Sequence, residues 1–145
     1  MRIVVQRCKM AKVEVDKKVV GSINEGLMLL VGFTEGDDDN NIDYMVDKVI
    51  NLRIFDDENG VMNKSLLDTG GSILSVSQFT LYADASKGRR PSYVKALSGD
   101  KATVLYDKFN LKLKEKNVVV ETGIFGAEME VSLINDGPIT ILLEK

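Results

Sequence analysis

Ile73-Leu74-Ser75-Val76 runs directly into Ser77-Gln78-Phe79-Thr80-Leu81-Tyr82. The lead-in is short, apolar and rich in β-branched side chains, which predicts a buried strand. That strand then delivers two hydroxyls and an amide within four residues, at Ser77, Gln78 and Thr80. Hydroxyls at a strand end are usually ladder or turn residues, and the alternative is a strand end that presents donors to a ligand. A second strand, Leu27–Phe33, has no polar alternation at all, so it must be covered on both faces. Two such buried strands call for helices laid against a sheet.

The remaining segments supply those helices. Ile42, Met45, Val46, Val49 and Ile50 recur at i, i+3, i+4, i+7 and i+8. This is one apolar helix face, opened by an N-cap at Asp38 or Asp39 and ending near Arg53. Ala102, Leu105, Phe109 and Leu113 mark a second long helix that ends near Asn117, and Pro91 predicts a short helix over residues 92–97. Strands are expected over residues 2–8, 13–16, 19–23, 118–120, 129–134 and 139–143. Glycine and aspartate clusters provide turns at Asp56-Asp57-Glu58-Asn59-Gly60, Asp68-Thr69-Gly70-Gly71 and Asn135-Asp136-Gly137. The order of strands, helix, strand, helix and strands implies one α/β domain over residues 1–145, with a mostly antiparallel sheet and two long helices on one face.

Composition narrows the chemistry. The chain has 145 residues, a net charge of −3, one cysteine and no histidine. A chain of this size buries about two-thirds of its unfolded surface, enough for its own core. Without histidine there is no Ser-His-Asp or Cys-His catalysis, and a lone Cys8 excludes an internal disulfide or a cysteine-clustered zinc site. Cys8 itself reads as a buried structural residue. No metal ligand set or cofactor is expected. No apolar run approaches the roughly 20 residues of a membrane helix, and residues 1–7 lack the apolar core of a signal peptide, so a cytoplasmic location is the default expectation. The cations are unevenly spread. Residues 1–12 and 87–95 each carry four bases and no acid, the latter being Lys87, Arg89, Arg90 and Lys95. Such segments in an acidic chain suggest a local phosphate-binding surface.

Three glycine-containing loops, around Lys87-Gly88-Arg89, Thr122–Ala127 and Asn135–Pro138, match no phosphate-binding loop or dinucleotide fingerprint. Together with Ser77–Leu81, however, the set Lys87-Gly88, Arg90-Pro91-Ser92, Thr122-Gly123, Phe125-Gly126-Ala127 and Asn135-Asp136-Gly137-Pro138 resembles the D-aminoacyl-tRNA deacylase family. Gln6-Arg7, Gly26-Leu27, Leu52–Phe55 and Met62-Asn63 add to the likeness, which runs in order from residue 1 to about residue 143. Cys8, in place of a small aliphatic residue, and Ala83, where glycine is common, are its departures.

The resemblance implies a barrel-like, two-layer sheet with helices on one face (β/β/α layers) and a homodimer whose active site lies at the subunit interface. It implies hydrolysis of the ester joining a D-amino acid to the 3′ end of tRNA, with mischarged glycyl-tRNA also accepted. Ser77, Gln78, Phe79 and Thr80 are the catalytic stretch by that likeness. Backbone amides near Gln78 and Phe79 would hold the developing oxyanion, Thr80 would orient water, and the substrate's own 2′-hydroxyl would assist. Gly137 and Pro138, joined by a cis bond, would exclude L-amino acids in the partner subunit's pocket, with Arg7 anchoring that loop. Phe125 and Met129 would contact the terminal adenosine, and Lys87, Arg89, Arg90 and Lys95 the tRNA phosphates. Two other readings stay open at this stage: a different small ester or peptide hydrolase acting through Thr80, and a non-catalytic RNA-binding module.

Overall fold

Buried side chains alternate along Arg2–Val15, which makes β1 one long strand rather than the two separate ones expected over residues 2–8 and 13–16. The computed structural model describes residues 1–145. It shows β1 at the centre of the sheet, antiparallel to β2 (Lys18–Ile23), β3 (Gly26–Gly32) and β8 (Glu130–Glu144). The strand expected before the Ser77 motif is β6 (Ser72–Ser77). It lies parallel to β3 on one side and to β7 (Val120–Thr122) on the other. The sheet is therefore mostly antiparallel, with its parallel pairings confined to the strands that lead to the polar motif.

The sheet curls until β2 meets β7. A Cβ built on Gly21 would stand 2.8 Å from the Thr122 carbonyl oxygen, so only glycine admits that approach. A small hairpin of β4 (Phe55–Asp56) and β5 (Met62–Lys64) and a single turn, α2 (Leu66–Thr69), lie outside this sheet. The α2 turn replaces part of the loop expected there, because Ser65 and Asp68 form a capping box.

Both long helices appear where periodicity put them. Helix α1 (Asp39–Asn51) is capped by Asp38, whose carboxylate accepts the amides of Asn40 and Asn41 at 2.9 and 3.2 Å. Helix α3 spans Gly99–Glu115. They share one core with a face of the sheet, and Phe109, Ile42, Met45, Leu27, Leu29 and Ile73 are among its fully buried members. A smaller cluster, including Cys8, Val13, Met28, Leu74 and Val76, fills the inside of the curl. These are the two inner layers of a nearly closed, barrel-like sheet with helices on one side. Lys108–Asp39 and Lys112–Asp43 also join the helices, but such exposed pairs contribute little beside that apolar burial.

Two local expectations fail. Residues 92–97 form no helix. Ser92 pairs with Asp84 in an isolated antiparallel bridge, and that extended pairing competes with helix formation at Pro91. Asn135-Asp136-Gly137 is not a turn between two strands either, since β8 runs through it. From Gln6 to Cys8, β1 advances two residues while β8 goes from Thr140 back to Asn135, so the extra residues bulge outward opposite Arg7.

Candidate active site

Strands β3 and β6 are parallel neighbours, and both end at the same place, where ligands commonly bind in parallel sheets. A cleft of about 460 Å³ opens there. Its walls come from Gly32 and Phe33 at the end of β3, Ser77–Phe79 at the end of β6, the first turn of α3, and the segment Phe125–Met129. The strand stops at Ser77, and Phe79–Tyr82 forms a 3-10 turn, so the polar motif is a strand end followed by a tight turn.

That turn decides which amides are available. Gln78 N–H is committed to the Val31 carbonyl at 2.7 Å, which corrects the expectation that the Gln78 amide serves a ligand. The first bond of the turn runs from Leu81 N–H to the Gln78 carbonyl at 3.3 Å. The amides of Phe79 and Thr80 precede it and are not used by the turn. Nearby, the first turn of α3 reaches the cleft at Gly99 and Ala102, and its N-cap Ser98 makes no side-chain capping bond. Two sets of backbone donors thus flank one cleft, an arrangement that favours developing negative charge.

The hydroxyls are less prominent than the sequence suggests. Ser77 is half-buried in the wall, and Thr80, also half-buried, follows the wall residue Phe79 in the turn, its Oγ1 accepting a hydrogen bond from Gln78 Nε2. A hydroxyl in that position can donate to water but has no base beside it to make it a nucleophile. Cys8 offers no alternative. It is buried, and desolvation pushes its thiol up to about 11, so it stays protonated at neutral pH.

Phe125 and Met129 both line the cleft while packing on the core. Phe125 lies against Tyr106 with ring centroids 5.8 Å apart, and the Tyr106 hydroxyl donates to the Ser75 carbonyl at 2.8 Å. Burial raises the Tyr106 pKa, which keeps that donor protonated. Helix α3 therefore braces both β6 and the Phe125 wall. The participation of the β3 end and the α3 start was not visible in the sequence; the Ser98-Gly99-Asp100 break was the one local signal.

Gly137 and Pro138 lie elsewhere. They are exposed on the β8 bulge, and neither they nor Arg7 lines the cleft of the same chain. Their peptide bond is cis, and Gly137 has φ +119°. A side chain there would collide with Ile139, whose Cγ1 and backbone nitrogen lie 2.8 and 3.0 Å from an ideal Cβ. Arg7 is buried under the bulge. It donates to the Ile54 carbonyl at 2.6 Å, and its Nε lies 3.1 Å from Asp136 Oδ2. The bulge is closed at its base by Gln6 Oε1, which accepts from Asn135 Nδ2 and Thr140 Oγ1, each at 2.9 Å. Lys87, Arg89 and Arg90 are exposed and make no ion pair within the chain, while Lys95 Nζ lies 4.0 Å from Asp84.

A sequence model of the family described as D-Tyr-tRNA(Tyr) deacylase matches residues 4–144. A D-aminoacyl-tRNA deacylase of Listeria monocytogenes serotype 4a is 56% identical over 144 residues, covering 99% of this chain and 95% of the relative. Among solved structures, one titled c-Myc DNA Unwinding Element Binding Protein superposes with a TM-score of 0.94 at 38% identity, covering 100% of this chain and 99% of the other. A probable eukaryotic D-amino acid tRNA deacylase shares the fold with a TM-score of 0.83 at 20% identity, over 98% of this chain and 97% of the other. No helix is long and apolar enough to cross a membrane.

Proposed function

Because the chain belongs to the D-Tyr-tRNA(Tyr) deacylase family, we propose that it hydrolyses the ester of D-aminoacyl-tRNA, in the cytoplasm, releasing D-amino acid and tRNA. The observation that carries this reading is the cleft wall at Ser77–Phe79, where the Phe79 and Thr80 amides lie outside the bonding of their own turn. An aminoacyl ester is already an activated carbonyl. Water adds to it, the carbonyl oxygen takes up negative charge, and the bond to the ribose 3′ oxygen breaks as that oxygen receives a proton. Each preorganised amide at the oxyanion lowers the barrier by about 3–4 kcal/mol, without a side-chain base. Thr80 orients the water, and the 2′-hydroxyl of the substrate assists. Phe125 and Met129 receive the terminal adenosine, and Lys87, Arg89, Arg90 and Lys95 meet phosphates farther along the acceptor end.

Chirality is checked by Gly137 and Pro138 of a second copy. In one chain these residues and the cleft are separate features, so a homodimer is what joins them. Two properties favour that assembly: β8 pairs only with β1, leaving a 15-residue edge open, and its Ile134 and Leu142 are 55% and 62% exposed. Selection is by exclusion: an L side chain meets the Gly137-Pro138 backbone, a D side chain points away, and glycine passes.

The test is release of amino acid from D-aminoacyl-tRNA by the wild-type protein and by Thr80→Val. The wild type turns over, and Thr80→Val slows it by about tenfold, the value of one hydrogen bond to water. Loss of all activity in Thr80→Val would indicate a covalent Thr80 ester, and binding without hydrolysis by the wild type would indicate an RNA-binding module.

A further inference from the structure

Ester hydrolysis leaves one feature at the rim of the cleft unused. Phe79 and Tyr93 are 55% and 44% exposed, yet their rings meet edge to face, with centroids 5.2 Å apart and planes at 65°. The segment that carries Tyr93 is held firmly. Asp84 and Ser92 exchange two backbone hydrogen bonds of 2.8 Å, and the Asp84 carboxylate accepts the Ser86 amide at 2.9 Å. Beyond Tyr93, Thr34 Oγ1 donates to the Lys95 carbonyl at 2.6 Å, and Leu97 N–H to the Phe33 carbonyl at 3.0 Å. Exposed aromatic rings on a pinned segment are placed for contact with something outside the chain. Lys87, Arg89 and Arg90 lie in that same segment with no carboxylate partner.

We propose that Phe79 and Tyr93 form a stacking platform for the unpaired base next to the 3′-terminal nucleotide of the RNA substrate. This deepens the deacylase reading of the cleft and rests on it. An edge-to-face pair leaves ring surface open to a third π system, and every nucleobase has a π face. Unpaired cations beside such rings favour a polyanion that also carries bases, which is single-stranded nucleic acid rather than an apolar peptide. Phe79 belongs to both the cleft wall and the platform, so a base on the platform adjoins a nucleotide in the cleft. Stacking does not read hydrogen-bond edges, so the platform accepts any base.

The experiment compares wild type, Tyr93→Ala and Tyr93→Phe on D-aminoacyl-tRNA and on the matching 3′-D-aminoacyl-adenosine, which lacks the neighbouring nucleotide. Tyr93→Ala lowers kcat/KM on the tRNA by about 5- to 150-fold through KM, the range that base–aromatic stacking supplies. The adenosine ester is cleaved at the wild-type rate, and Tyr93→Phe restores the tRNA rate. Equal loss on both substrates, or no loss on tRNA, overturns the platform. Failure of the wild type to cleave either D-ester overturns the deacylase reading instead, and the platform is then decided by fluorescence. For that measurement, 2-aminopurine is placed next to the terminal adenosine of a short single-stranded RNA. Its emission is quenched by the wild type and recovers with Tyr93→Ala; equal quenching by both overturns the proposal.

Discussion

At Phe79 the backbone and the side chain are assigned different tasks, and substitutions can separate them. Phe79 is the first residue of its 3-10 turn, a position where proline fits because the amide has no bond to make within the turn. Phe79→Ala removes the ring and keeps the N–H, whereas Phe79→Pro removes both. If the amide holds the oxyanion, Phe79→Pro has a kcat about 100- to 1000-fold below that of Phe79→Ala. Equal kcat values in the two variants would remove the amide from the mechanism. The conspicuous residues of the motif, Ser77 and Thr80, drew attention to a stretch that the structure places at the cleft. Their hydroxyls are visible in a sequence, while the donors proposed for the oxyanion are backbone groups whose availability depends on where the turn begins.

Among the elements, β8 shows both the reach and the limit of reading the chain alone. Its alternating halves, 129–134 and 139–143, were legible because each buries one face with period two. The continuity through Asn135–Pro138 was not, since an Asn-Asp-Gly sequence signals a turn wherever no partner strand is considered. Only pairing with β1, and the packing of Arg7 beneath, turns those residues into a bulge. The helices α1 and α3 were legible for the opposite reason: their apolar faces are local, periodic patterns. Helix 92–97 was lost to a pairing between Asp84 and Ser92 that no local pattern encodes. The bulge also makes a prediction. Gly137→Ala places a Cβ on backbone at φ +119° and against Ile139, which costs about 1–3 kcal/mol and displaces the loop. A lower Tm together with faster cleavage of L-aminoacyl esters is expected. An unchanged Tm and unchanged D/L ratio would detach this residue from chiral selection.

For the whole molecule, the separation of Gly137-Pro138 from the cleft of its own chain is the observation behind the proposed second copy. The open edge of β8, with Ile134 and Leu142 exposed, is the surface assigned to that contact. Replacing both by glutamate puts like charges on the edge, and sedimentation is expected to shift from dimer to monomer with loss of stereoselective turnover. A wild-type monomer that still discriminates D from L esters would refute the shared site. Most direct of all is the ratio of kcat/KM for D-aminoacyl-tRNA and its L counterpart carrying the same side chain and the same tRNA. Selection by backbone exclusion predicts a ratio above about 100 in favour of the D ester, equivalent to at least about 2.7 kcal/mol between the two transition states. A ratio near one would contradict it.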